Sequence, residues 1–235
     1  MSPYVAEFFG TMVLILLGNG VVAGVILKGT KSENAGWLTI VIGWGLAVTL
    51  GIYAVGRISS AHLNPAITVA LWAAGDFEAN LVLGYILAQF AGAFAGAVLV
   101  WLHYLPHWKV TDNAATKLAV FSCAPAIRST IPNLVSEIIG TMVLVTGVLF
   151  IGANKFADGL NPLIVGGLIT SIGLSLGGPT GFAINPARDF GPRVAHFLLP
   201  IPGKGSSDWS YSWIPIVGPL IGGLLGALLY KVLFV

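Results

Sequence analysis

Six long, almost uninterrupted apolar stretches follow one another along this 235-residue sequence. At about 1.5 Å per helical residue, each is long enough to cross a bilayer core of roughly 30 Å. Because backbone polar groups find no water at that depth, we expect every span to be helical. The predicted spans are Tyr4 to Leu27, Gly36 to Gly56, Ala79 to His103, Ile131 to Ala153, Gly159 to Gly177 and Tyr211 to Val235.

The charge of the chain excludes several classes of function. Only 9% of residues are charged, and the net charge of +2 is spread thinly between spans. We therefore expect a lipid bilayer as partner and no nucleic acid. The first span carries Glu7 and lacks a basic leader, so we interpret it as retained rather than as a signal peptide. Cys123 is the only cysteine, which excludes an internal disulfide, and we interpret it as an inert loop thiol.

Two landmarks recur in the same order along the chain. Glu7-Phe8-Phe9-Gly10-Thr11 returns as Glu137-Ile138-Ile139-Gly140-Thr141, 130 positions later, and Asn64-Pro65-Ala66 returns as Asn185-Pro186-Ala187, 121 positions later. Each half holds three spans, and an odd number of crossings turns the second half upside down. We predict an inverted repeat with a first half at 1–105, a connecting loop at 106–132 and a second half at 133–235.

A short apolar stretch follows each Asn-Pro-Ala triplet, at Ile67 to Ala74 and at Phe190 to Leu199. Asparagine is a favoured N-cap, and proline suits the first helical position because its missing N–H would be unpaired there. Each triplet therefore predicts the start of a half-helix of about 15 Å. Two such half-helices, entering from opposite faces, would meet near the membrane midplane.

The sequence around these triplets resembles the major intrinsic protein (aquaporin) family and, within it, the glycerol facilitators or aquaglyceroporins. The Glu-x-x-x-Thr pairs, Glu7 with Thr11 and Glu137 with Thr141, match as well. The resemblance implies an all-α, right-handed bundle of six spans and two half-helices, a pore in each subunit of a homotetramer, and no cofactor. The matching segments are Ser60-Ala61-His62-Leu63-Asn64-Pro65-Ala66 and Gly181-Phe182-Ala183-Ile184-Asn185-Pro186-Ala187-Arg188-Asp189-Phe190-Gly191-Pro192.

By the same resemblance, the residues before each triplet offer their carbonyls as a ladder of acceptors along one wall of the pore. The side-chain amides of Asn64 and Asn185 supply donors midway. A polyol hydroxyl needs both, because each group left unpaired costs roughly 1–3 kcal/mol. The expected ladder consists of Ser60, Ala61, His62 and Leu63 in the first half and Gly181, Phe182, Ala183 and Ile184 in the second.

Arg188 would cost about 2.5–3.5 kcal/mol or more if it faced lipid, so we expect it to face the pore. By resemblance it forms the selectivity filter with Trp44, Gly173 and Phe182. There, two aromatic faces contact the carbon chain of glycerol, and glycine leaves room where water-selective relatives carry histidine. Alternatively, Trp44 is an interfacial aromatic residue and Gly173 a packing residue. Further positions typical of facilitators are Asp189, Arg193, Pro215 and Ile216.

Glu7 and Glu137 are the acids that lie deep inside full spans, and an intramembrane carboxylate is by default a candidate for proton transport. The alternative is that each accepts hydrogen bonds from the backbone N–H groups of a re-entrant loop. Their duplication in step with the two loops favours structural support. At the pore centre, two helix N-termini and Arg188 would repel cations, which predicts exclusion of ions and protons.

The sequence therefore favours a passive channel in the plasma membrane that passes glycerol and similar uncharged solutes with water, and we expect that membrane to be a bacterial inner membrane. Dihydroxyacetone, urea and undissociated lactic acid are further candidates. An ion- or proton-coupled secondary transporter and a closed-pore junction protein remain as alternatives. We expect no enzyme, since no nucleophile and base converge, and no metal site, since the His103 and His107 pair lacks a third ligand.

Overall fold

The computed structural model describes residues 1–234, which form ten helices and no strand. Val235, the last residue of the sixth predicted span, lies outside the described residues. The helices are α1 (Pro3–Ile26), α2 (Trp37–Ser59), α3 (Pro65–Ala74), α4 (Ala79–His103), α5 (Leu105–Val110), α6 (Ala114–Phe121), α7 (Thr130–Ala153), α8 (Asn161–Leu176), α9 (Pro186–Leu198) and α10 (Ile214–Phe234).

Five of these helices, α1, α2, α4, α7 and α10, are long and apolar enough to cross a membrane. The fifth predicted span forms α8, which has only 16 residues. At about 1.5 Å per residue it measures about 24 Å, less than the roughly 30 Å hydrocarbon core. The sixth span begins later than predicted, because residues 209–213 form turns before α10 starts at Ile214.

The half-helices α3 and α9 begin where the two Asn-Pro-Ala triplets predict. Asn64 and Asn185 have extended backbones, and the side-chain oxygen of each accepts the N–H of the residue two positions on. Pro65 and Pro186 occupy the first helical positions. A backbone N–H there would have no acceptor within the helix, so proline loses no hydrogen bond. Both half-helices are therefore started by the same two residues.

The segment predicted as a plain connecting loop holds the short helices α5 and α6. Asn113 caps α6 by accepting the N–H of Thr116, and Trp108 and Phe121 stack at 5.5 Å between ring centroids. Helix α6 packs against both α1 and α9. The linker is thus a folded cover over one end of the bundle.

Helix packing follows the sequence repeat closely. Helix α1 packs on α4 and α7 packs on α10, with glycines where the backbones meet. A Cβ on Gly92 would lie 2.2 Å from the Phe8 carbonyl, and one on Gly222 would lie 2.3 Å from the Ile138 carbonyl. Both members of the second pair lie 130 positions after those of the first. Such contacts are possible only without a side chain, and they bring the helix backbones close together.

Helices α2 and α8 cross at the contact between the two halves. A Cβ on Gly45 would lie 2.7 Å from the Gly166 carbonyl, and one on Gly166 would lie 2.6 Å from the Gly45 carbonyl. The hydroxyls of Thr170 and Thr49 flank this contact in the same reciprocal way. Each glycine thus makes way for the other, as expected when two equivalent helices cross near a pseudo-two-fold axis.

We expect Gly92→Ala to destabilise the bundle by about 1–3 kcal/mol, because the new methyl group forces α1 and α4 apart. Thermal unfolding of the purified protein in detergent measures the effect. Gly167→Ala on α8 is the matched control, since a Cβ there meets nothing within 4 Å. Equal melting temperatures for the two variants would contradict the close packing of α1 on α4.

Candidate pore

The two triplets meet in the interior and are joined by reciprocal hydrogen bonds. The Asn64 amide donates from Nδ2 to the Ile184 carbonyl at 2.8 Å, and the Asn185 amide donates from Nδ2 to the Leu63 carbonyl at 2.8 Å. Each bond runs from one half of the chain to the other. The last rung of each expected carbonyl ladder is therefore already paired, although a carbonyl oxygen has a second lone pair for a solute.

The loops leading into the triplets have an unusual backbone. Ser60, Ala61 and Leu63 in the first loop and Phe182 and Ile184 in the second have positive φ angles between 40° and 64°. Non-glycine residues in this left-handed region cost of order 1–3 kcal/mol each and persist only where the surroundings hold them. The pore loops are thus the strained part of the fold and need strong support.

Glu7 supports the first loop with four hydrogen bonds to its buried carboxylate. The backbone N–H groups of His62 and Leu63 donate at 2.9 and 2.7 Å. The side chains of Ser59 and Gln89 also donate, each at 2.7 Å. Every bond comes from a donor that would otherwise be unpaired at membrane depth. This geometry is the one that the structural hypothesis for Glu7 requires.

Glu137 supports the second loop with fewer partners. The backbone N–H groups of Ala183 and Ile184 donate to its carboxylate at 3.0 and 2.9 Å. The position equivalent to Gln89, 130 residues later, is Pro219, which has no side-chain donor. The carboxylate is nevertheless buried, with 1% of the residue exposed. Both loops are therefore supported by a buried carboxylate, but the carboxylate of Glu137 accepts fewer hydrogen bonds than that of Glu7.

A cavity of about 150 Å³ runs past the two triplets. It greatly exceeds the about 10–15 Å³ that one water requires. Its polar lining comes from the loops 60–64 and 182–185, from Arg188 and from Asn161, and the remaining lining residues form an apolar wall. Residues on the apolar wall include Leu14, Val48, Ile52, Ile67, Leu71, Leu144, Val148, Val165 and Ile169.

Three of the four predicted filter residues line this cavity. The Arg188 guanidinium lies over the Trp44 ring, 4.4 Å from its centroid, and Phe182 lines the same cavity. A cation over an indole face is attracted by the ring quadrupole, by about 2 kcal/mol or more when desolvated. The Arg188 backbone N–H is capped by Asn185 at 3.2 Å. The pair combines a cationic hydrogen-bond donor with an aromatic face.

The fourth predicted filter residue, Gly173, leaves room for the ring of Phe182 and does not line the cavity. A Cβ on Gly173 would lie 2.9 Å from Phe182 Cζ and 2.7 Å from Val41 Cγ1. Its carbonyl accepts the indole N–H of Trp37 at 3.2 Å, and Trp37 packs edge-on against Phe182. Glycine here thus determines where the Phe182 ring lies. Gly181 likewise does not line the cavity.

Asp189 and Arg193 form a fully buried ion pair on α9, directly after Arg188 in the sequence. Arg193 donates from Nε and from Nη2 to the Asp189 carboxylate at 2.9 and 3.0 Å, with both side chains at 0% exposure. Arg193 also donates to the carbonyls of Ser207 at 2.8 Å and Cys123 at 3.0 Å. The pair therefore ties α9 to the loops at 122–129 and 199–213. Pro215 and Ile216 lie in the first turn of α10, away from the cavity.

Cys123 is held against the second pore loop. Its backbone N–H donates to Asp189 at 2.7 Å, and its thiol donates to the Gly181 carbonyl at 3.2 Å. Burial raises the pKa of the Cys123 thiol to about 12, so the thiol is neutral at physiological pH. The expected inert thiol thus also connects the linker to the pore.

Sequence reasoning missed the side chains that complete this support. Ser59 and Gln89 contact Glu7 across 52 and 82 positions, and no motif joins them to it. Gln89 also donates to Thr68, whose hydroxyl is 3.1 Å from His62 Nδ1. A buried glutamine in a membrane helix was the one available signal for Gln89.

His107, which the sequence pairs with His103, lies at the end of the bundle. Its Nδ1 is 2.9 Å from the Lys28 carbonyl.

Comparison with known proteins agrees with this geometry. A family model described as Major intrinsic protein matches residues 1–230. A probable glycerol uptake facilitator protein of Thermotoga maritima is 66% identical over 234 residues, and the match covers 100% of this chain and 100% of that protein. The glycerol uptake facilitator protein of Bacillus subtilis is 59% identical over 234 residues, and the match covers 100% of this chain and 85% of that protein. The aquaglyceroporin from Plasmodium falciparum has a TM-score of 0.85 at 29% identity, covering 98% of this chain and 95% of its own.

The chain therefore belongs to the major intrinsic protein family. The family resemblance and the all-helical membrane fold predicted from the sequence are confirmed. The chain is a multi-pass protein of the plasma membrane. Its relatives are named for uptake of a solute and not for catalysis, in agreement with the expectation that it is not an enzyme.

We expect Asp189→Asn to destabilise the protein by about 3–5 kcal/mol, because it leaves the Arg193 guanidinium buried without its counter-ion. The melting temperature in detergent is the measurement. Asp158→Asn serves as control, since Asp158 is exposed. If both variants melt like the unaltered protein, the buried pair does not hold the loops over α9.

Proposed function

We propose that this protein is a passive channel for glycerol, which crosses with water through the cavity between the two half-helices. The observation that carries the proposal is the Arg188–Trp44 pair in a cavity that has polar pore loops and an apolar wall. Relatives named as glycerol uptake facilitators, at 66% and 59% identity, support the choice of solute.

The two walls suit the two sides of a polyol. Glycerol can turn its hydroxyls towards the carbonyls of loops 60–63 and 182–184 and its C–H groups towards the apolar side chains opposite. Each hydroxyl then exchanges water for a protein partner, which avoids the roughly 1–3 kcal/mol cost of an unpaired polar group. Arg188 donates to the hydroxyls as they pass it, while Trp44 and Phe182 contact the carbon chain.

The same parts would exclude ions and protons. The N-termini of α3 and α9 meet at the triplets, so the positive ends of two helix dipoles point at the middle of the pore. Each asparagine side-chain amide donates one N–H to a carbonyl of the opposite loop, and its second N–H is left to donate into the lumen. A central water that accepts from both asparagines cannot also accept from its neighbour, so the proton path is broken.

The coupled-transporter alternative needs a carboxylate that exchanges protons during the cycle. Glu7 instead accepts four hydrogen bonds, and both Glu7 and Glu137 hold strained backbone. Protonating Glu7 would turn one of these acceptor sites into an O–H donor and weaken its support of the loop. We therefore propose loop support as the role of both acids. We also propose a first repeat that ends at residue 105 and a second repeat that begins at residue 133. By family resemblance, we propose a homotetramer. Water, dihydroxyacetone, urea and undissociated lactic acid are further candidate solutes.

Stopped-flow light scattering on proteoliposomes tests the proposal directly. We expect glycerol influx well above that of empty vesicles, together with water flux, and no change when a proton uncoupler is added. Empty liposomes and a sugar larger than glycerol are the controls. Fast water flux without glycerol flux would refute the glycerol assignment, absence of both would favour a junction protein, and abolition by the uncoupler would favour coupled transport.

Glu7→Gln separates structural support from proton coupling. The amide replaces an oxygen that accepts two hydrogen bonds, so we expect a stability loss of about 1–3 kcal/mol per donor left unpaired. Glycerol flux should fall only in proportion to the loss of folded protein, measured in the same preparation. Glu78→Gln, at the exposed start of α4, is the matched control. A fully folded Glu7→Gln protein without flux would contradict the supporting role.

A further inference from the structure

The indole of Trp44 presses against α1 at a position that has no room for a side chain. A Cβ on Gly18 would lie 2.3 Å from Cζ3, 2.4 Å from Cε3 and 2.6 Å from Cη2 of Trp44. All three atoms belong to the six-membered ring of the indole. Carbon atoms in ordinary contact are about 3.5–4.0 Å apart, so a methyl group at Gly18 would displace the ring by about 1 Å.

Packing is what fixes the position of this ring. The Trp44 residue is 3% exposed, and its indole N–H finds no hydrogen-bond partner among the residues that the structure describes. One side of the indole meets Gly18, and its face meets the Arg188 guanidinium at 4.4 Å. The open volume beside Trp44 is the cavity that both residues line. A ring displaced from α1 therefore moves towards the lumen and carries the Arg188 contact with it.

We propose that Gly18 is a positioning residue for the filter, which sets the width of the passage beside Trp44 and Arg188 by letting Trp44 lie against the backbone of α1. The inference rests on the proposed function, because it assigns to Gly18 the choice of solute size. Gly18 touches no solute itself. A side chain at this position narrows the passage, so that a polyol is excluded before water is.

The first test compares Gly18→Ala with two glycine variants in proteoliposomes, by stopped-flow measurement of glycerol and water flux. We expect Gly18→Ala to lower glycerol permeability by about tenfold, as when a size-selective site gains a methyl group, while water permeability stays within about twofold. Gly20→Ala is the neutral control on α1, since a Cβ there meets nothing within 4 Å. Gly43→Ala is the packing control, since its Cβ meets Val21 Cγ1 at 2.6 Å between the same two helices.

The second test is a double-mutant cycle with Trp44→Phe. Phenylalanine lacks the distal ring that contacts Gly18, so adding Gly18→Ala to Trp44→Phe should change the ratio of glycerol to water permeability by less than about twofold. If Gly18→Ala alone does not fold, recovery of folded protein in the double variant supports the same contact. A persistent tenfold loss in the Trp44→Phe background, or failure of the double variant to fold, would overturn the role of Gly18.

The outcomes separate this inference from the function on which it rests. Suppose that the unaltered protein conducts glycerol and that Gly18→Ala has the same ratio of glycerol permeability to water permeability. That result overturns the inference alone. An equal fall of that ratio in Gly43→Ala also overturns it, because general separation of α1 and α2 would then explain the effect. An unaltered protein that conducts no glycerol overturns the proposed function and the inference together.

Discussion

Two buried carboxylates hold the least favourable backbone in the molecule. Glu7 and Glu137 accept the N–H groups of loops in which several non-glycine residues have left-handed φ angles. At membrane depth these N–H groups have no water to bond, so the carboxylates provide what solvent would provide elsewhere. The strained loops in turn aim the carbonyls of Leu63 and Ile184 at the asparagines of the opposite half. The lining of the pore therefore depends on two acids that lie outside it.

The two halves support their pore loops with different side chains. Glu7 has Gln89 and Ser59 as extra donors, whereas the position matching Gln89 in the second half is Pro219. The second loop is instead held from outside by the Asp189–Arg193 pair and by Cys123. Arg188, which we propose as a filter residue, lies next to that pair in sequence. The second loop is thus supported through the linker and the surrounding loops, and the first loop from within the bundle.

Local sequence rules predicted the elements, and long-range contacts decided the rest. The helix starts at Asn64 and Asn185 follow from capping chemistry, which acts over three residues. The partners of Glu7 at Ser59 and Gln89 could not be derived, because only the packing of α1, α2 and α4 brings them together. The linker helices α5 and α6 were missed since they are short and polar residues interrupt them. Gly173 was assigned to the filter by resemblance, whereas its contacts show how the Phe182 ring is accommodated.

The reciprocal bonds between Asn64 and Ile184 and between Asn185 and Leu63 have a consequence for the origin of such a chain. Neither half contains the acceptor for its own asparagine, so neither can complete the centre of the passage alone. A shorter ancestral chain with one copy of the repeat would have had to insert into the membrane in both orientations and pair with its inverted twin. Joining the two copies in one chain provides each asparagine with its acceptor without any encounter between separate chains.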